Sequence, residues 1–182
     1  MLFRSALSTA QISKLTDANV AVLTSAQVKA IETADLQKLT AEQVAAISTA
    51  AVAGLTTDQV VALTTAQVDK LTTAQVNALS SSQIGAIETA DLAKLTAEQV
   101  AGISTAAVAG LTTLQVSKLS SDQLAALSTA QVAALSTTNV AALTTAQIDK
   151  LTAAQVIALT TAQVKADRKS TRLNSSHTDI SR

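Results

Sequence analysis

From Leu7 to Ala166 the apolar and polar positions repeat with a period of eight, and twenty consecutive units follow one another without insertion or deletion. Leu63-Thr64-Thr65-Ala66-Gln67-Val68-Asp69-Lys70 is representative. Position one is Leu or Ile in every unit and position six is Val, Ile or Leu, which marks these two as the buried positions. The polar positions are equally regular. Position two is Ser or Thr in eighteen units and Glu in two, Glu32 and Glu88. Position five is Gln in fourteen, with Asn19, Asn139, Asp35, Asp91, Ala51 and Ala107 as the exceptions. Position eight is mostly small or Lys.

This spacing predicts a helix start in every unit. A Ser or Thr followed three residues on by Gln is a capping box: the hydroxyl accepts from the N–H three residues ahead, and the Gln side chain reaches back to the N–H of the cap. Leu63 and Val68, just before the cap and four residues after it, stand as a hydrophobic staple across Thr64 and Gln67. Where Glu32 and Glu88 displace the hydroxyl, the adjacent Thr33 and Thr89 are expected to cap instead, with Asp35 and Asp91 as surface acids in the first turn.

Three architectures have this period. A β-solenoid needs alternate residues on one face, yet positions one and six have opposite parity and would point to opposite sides of a strand. In a single continuous helix or coiled coil the apolar stripe would advance by about 80° per unit, so no one partner could cover it. The remaining reading is an all-α solenoid of about twenty short capped helices, one per unit over positions three to eight. Helices of about six residues are unstable alone because nucleation is costly, so they must hold one another by stacking. Positions one and six are then inside, and positions three and seven mostly outside.

The domain organisation follows from the register. Residues 1–6 precede it, since Arg4 would fall on an apolar position; residues 7–166 are the array; residues 167–182 break it, with three Arg and the single His. Met1-Leu2-Phe3 is too short for a secretory signal, and no apolar run is long enough to span a membrane. Inside the array, Ile31 to Leu55 and Ile87 to Leu111 match at 23 of 25 positions at an offset of 56 residues, which points to tandem duplication. Lys at position eight recurs at Lys14, Lys38, Lys70, Lys94, Lys118 and Lys150, at gaps of three or four units. If charge marks one side of the superhelix, a turn takes about 3.5 units, half the duplicated length, and brings together residues some 24 to 32 apart. The Lys side chains would then form one ridge, the place to look for a partner.

Candidate chemistry is sparse. Over the whole chain 13 basic residues balance 13 acidic ones; without residues 167–182 the count is 9 against 11. That mild acidity, with no Trp, no Tyr and only Phe3, excludes a basic, aromatic-lined nucleic-acid surface. The absence of Cys excludes a disulfide framework and a thiolate site. Ser and Thr abound without a His in the array to activate them, so they are read as caps. Glu32/Asp35 and Glu88/Asp91 lack the clustered oxygens and Gly turn of a calcium loop, and Asp69/Lys70 and Asp149/Lys150 are solvated charges. Gly54, Gly85, Gly102 and Gly110 sit in no Gly-rich loop and are read as close-packing positions. We therefore expect no catalytic residue, no cofactor-binding residue, no metal ligand and no cofactor. Exposed Thr at position three, such as Thr65, Thr73 and Thr113, keeps an ice-binding alternative open.

The run Leu-Thr-Thr-Ala-Gln-Val, with variants such as Ile-Glu-Thr-Ala-Asp-Leu, resembles octapeptide arrays of very large bacterial surface or secreted proteins, often labelled adhesin-like or haem-utilisation-like. The resemblance covers Leu7 to Ala166. It implies a non-enzymatic spacer, stalk or interaction module, or an adhesin-type binding surface, whose partners are neighbouring repeats, flanking domains, and a protein or glycan. It implies no haem site, because the array has no His, Cys or Tyr. Residues 167–177 resemble one reading frame of a widely used sequencing-library adapter, with residues 178–182 beyond it. That resemblance implies a disordered, non-native tail, a natural protein continuing past Ala166, and no functional role for His177.

Overall fold

In a computed structural model, residues 9–12 and 14–169 are described, and among them the chain forms twenty short helices and no strand. They run from α1 (Thr9–Ile12) to α20 (Thr161–Lys169). The expected leader, residues 1–6, and residues 170–182 of the expected tail lie outside the described residues, while α20 carries Asp167, Arg168 and Lys169.

Each helix begins where the unit predicts. Thr64 is extended (φ −74°, ψ 155°), accepts from the Gln67 N–H, and receives the Gln67 carbonyl oxygen on its own N–H at 2.9 Å. The same reciprocal box forms at every position-five Gln from Gln27 to Gln163. Helices end as position one turns extended, as at Leu79 (φ −69°, ψ 138°). Each helix is thus one or two turns long, bounded by the next cap. The expectation that Thr33 and Thr89 take over as caps is not met: Glu32 and Glu88 occupy the cap position with no side-chain cap bond, and both Thr are the first helical residue. The glutamate oxygens make no bond to the first-turn N–H groups there, so these two helices start on backbone geometry alone.

The substantial helix–helix contacts pair each helix with the one three further along, without a gap. α2 (Asp17–Ala21) packs on α5 (Ala41–Ala46), α12 (Ala97–Ala101) on α15 (Ser121–Ala126), and α17 (Thr137–Ala141) on α20. Side-chain to main-chain bonds between successive turns join residues 25 to 31 apart. These separations centre on 28 residues, three and a half units, the pitch expected from the spacing of charge. A half-integral turn has a structural result: the position-five glutamine of a unit reaches the corner between two units of the turn beneath, while its helix packs on the one three units before. Positions one and six fill the interior as one continuous core, with Val44, Val76, Val100 and Val116 inaccessible to solvent.

Candidate functional site

The feature that sets this array apart from a plain stack of amphipathic helices is its column of buried glutamines. Gln59, Gln67, Gln75, Gln115 and Gln155 are at most 2% exposed, although an amide loses several kcal/mol if buried without partners. Each amide is satisfied at both ends. The carbonyl oxygen closes the capping box, and Nε2 donates to main-chain oxygens of the preceding turn. Gln67 reaches the Leu36 oxygen at 2.9 Å and the Leu39 oxygen at 2.8 Å; Gln147 reaches those of Val116 and Leu119 at 2.9 and 2.8 Å. The acceptors are position six of one unit and position one of the next, the two sides of the corner on which the helix rests. One side chain therefore starts a helix and fastens it to the turn below. Asn139 donates to the Leu111 oxygen at 2.8 Å, the shorter amide keeping one of the two acceptors.

The sequence carried a signal for this second role. A capping box accepts Glu as readily as Gln, yet no unit has Glu at position five. Only the amide can donate downward, and a carboxylate there would face carbonyl oxygens.

The acids at position five consequently differ from expectation. Asp35 and Asp91 are each 4% exposed, not surface first-turn acids, because position five faces the interior in the stacked turns beyond the first. Glu32 and Glu88 remain exposed. Ala51 and Ala107 belong to two units whose position-eight glycines lie against the backbone of the turn beneath. A Cβ on Gly110 would stand 2.0 Å from the Ser81 oxygen, and one on Gly54 would stand 2.8 Å from the Ser25 oxygen. At Gly102 the nearest obstacle is the Thr73 methyl, a movable side-chain end.

Lys14, Lys38, Lys70, Lys94, Lys118 and Lys150 are all exposed, and their 24- or 32-residue gaps straddle the 28-residue turn, so they zigzag along one side. They do not stand alone there. Glu42, Glu98 and Asp122 lie 28 residues beyond Lys14, Lys70 and Lys94, one turn above each. The ridge is of mixed charge. Asp69, Lys70, Asp149 and Lys150 are exposed as expected. Beside its own main-chain N–H and the Thr96 hydroxyl, the Glu98 carboxyl is held below the usual glutamate range. No group of three or more His, Cys, Asp or Glu among the described residues is placed to hold a metal ion. The depressions lined by Thr49, Thr73, Asn77 and Gly102, and by Ser25, Lys29, Gly54 and Thr56, are open grooves between turns. No described helix is long and apolar enough to cross a membrane.

Compared with known proteins, the chain matches the ALTTAQ repeat over residues 28–65, 61–86, 84–121 and 116–153. No curated protein and no solved structure matches it. The four overlapping matches together run from residue 28 to residue 153, more than two thirds of the 182 residues, and the chain belongs to the ALTTAQ repeat family.

Proposed function

We propose that this array is a non-enzymatic spacer or stalk that separates other parts of a larger bacterial surface or secreted protein at a set distance. The observation that carries this reading is the unbroken stacking of each helix on the one three units before it. From Gln43 to Gln163 the same amide bond to the turn beneath recurs wherever position five is Gln, so the chain invests its regularity in length. Groups that vary, chiefly Lys at positions seven and eight and acids at positions two, four and seven, lie outside and include both signs.

Deleting residues 31–86 tests the spacer reading, because the cut joins identical register positions. Small-angle scattering should show the longest dimension shortened by two turns, about 20 Å at the usual 8–10 Å between packed helices, with circular dichroism per residue unchanged. A deletion that unfolds the remainder, or leaves the length unchanged, refutes a modular spacer. Thermal hysteresis of the purified array would favour ice binding, and glycan retention lost on deleting units would favour an adhesin surface.

A further inference from the structure

One interior corner of the stack lacks the donor that position five supplies elsewhere. Asp91, in α11 (Thr89–Leu92), is 4% exposed, and among the described residues neither the Glu88 N–H nor any other donor bonds its carboxylate. Lys94, three residues on, is exposed and makes no ion pair with it. The register sets where the carboxylate is aimed. Asn139 has a side chain of the same length at the same position of its unit, and its Nδ2 donates to the Leu111 oxygen, 28 residues earlier, at 2.8 Å. For Asp91 the matching acceptor is the Leu63 oxygen, which no described donor reaches, whereas the Leu55 and Ile87 oxygens take Gln83 and Gln115 at 2.7 Å each. The Val60 oxygen, the second acceptor of this corner, receives only the Leu63 N–H at 3.2 Å and keeps a lone pair. Acceptors thus face one another here, and one of them is a buried carboxylate.

We infer that a small hard monovalent cation such as Na⁺ lies between the Asp91 carboxylate and the Leu63 and Val60 oxygens, and joins the two turns as the glutamine amide does in other units. A carboxylate held away from water is paired or coordinates a metal, and carboxylate and carbonyl oxygens are the ligands that hard cations take. A bridging water would join the acceptors but leave the charge uncompensated. With one carboxylate the ligand set carries a single negative charge, which a monovalent ion balances. Ca²⁺ draws on about six to eight oxygens and would leave positive charge buried. Because two of the ligands are main-chain oxygens, the corner contains no cluster of acidic side chains and leaves no metal signature in the sequence. Asp35, also 4% exposed, carries the same carboxyl at the matching position of the duplicated segment.

The test is amide hydrogen exchange of the full 182-residue chain at neutral pH, in NaCl against tetramethylammonium chloride at equal ionic strength, which holds screening constant. Na⁺ in roughly tenfold excess over its dissociation constant should slow exchange from Val60 to Val68 about tenfold. Exchange from Val116 to Leu124, where Gln147 and Gln155 bridge the turns, should not change. Asp91→Asn should give the Leu63 oxygen the bond that Asn139 makes and abolish the difference between the salts. Equal exchange of the wild type in the two salts overturns the inference without need of a variant. A difference that persists in Asp91→Asn overturns the site, and slowing by CaCl₂ but not by NaCl overturns the monovalent ion.

Discussion

Gln115→Glu separates the two roles of the position-five side chain. The substitution keeps the size of the residue and the oxygen that accepts from the Thr112 N–H at 2.8 Å. It removes the donor that reaches the Ile84 oxygen at 3.0 Å and the Ile87 oxygen at 2.7 Å, at a site 2% exposed. Two inter-turn bonds at about 1 kcal/mol each are lost. An unpaired carboxylate left facing buried carbonyls adds about 1–3 kcal/mol more, for a total of about 3–5 kcal/mol at neutral pH. The defect should depend on pH with a defined sign. Burial against carbonyl oxygens raises the folded-state pKa above the free value of about 4.3, so stability is recovered below that value and lost as pH rises through the folded one. In acid the protonated carboxyl donates to one carbonyl and the cost should fall to about 1–2 kcal/mol. Urea unfolding followed by far-ultraviolet circular dichroism, at pH 4 and pH 7.5, measures both arms. The comparison is Thr112→Ala, which removes a cap worth about 1 kcal/mol and leaves the downward bonds intact. If Gln115→Glu matches the wild type at neutral pH, or Thr112→Ala costs more, the inter-turn amide is not what holds the turns together.

Gly110→Ala should destabilise by about 2–4 kcal/mol, because its Cβ meets the Ser81 main-chain oxygen at 2.0 Å and backbone must move. Gly102→Ala should cost less than about 1 kcal/mol, since the Thr73 methyl can rotate away and Ala46 occupies the matching position one duplication earlier; chemical unfolding of the pair checks the difference. Leu111→Asp places a charge at a site 4% exposed and should cost about 4 kcal/mol, with local loss of amide-exchange protection centred on units 14 and 17. Glu98 should titrate below the ordinary glutamate range by nuclear magnetic resonance, and Thr96→Val should move it upward. Because that pKa is depressed in the folded state, the associated stabilisation is present above the unfolded value and lost as pH falls through the folded one.

Much of this was legible in the octapeptide. Opposite parity of Leu63 and Val68 excluded a strand, the Thr64/Gln67 spacing set the helix start, and the gaps between Lys residues anticipated the pitch. What remained hidden depends on which unit lies under which. A period of eight fixes each unit but is silent on its neighbours across the stack, so Gln67 read as a cap and nothing more. The burial of Asp35 and Asp91 was missed for the same reason: in an isolated helix position five lies at the flank, and only the turn beneath encloses it. The four glycines were read as close-packing sites, and the structure supplies what they approach. The Lys ridge was visible, but its acidic counterparts 28 residues on became neighbours only once the turn was known.

The half-integral turn also bears on how such a gene changes length. Adding one unit keeps the buried and capping positions of the octapeptide, yet it swings all that follows by more than a quarter of a revolution, redirecting anything attached downstream. Adding seven units restores the azimuth, because seven is the smallest whole number of units that spans whole turns. The 56-residue offset between Ile31–Leu55 and Ile87–Leu111 is that number. Unequal recombination in multiples of seven units would therefore lengthen the protein without altering the outline it presents, whereas other increments alter both, and length variants of this family should favour the former.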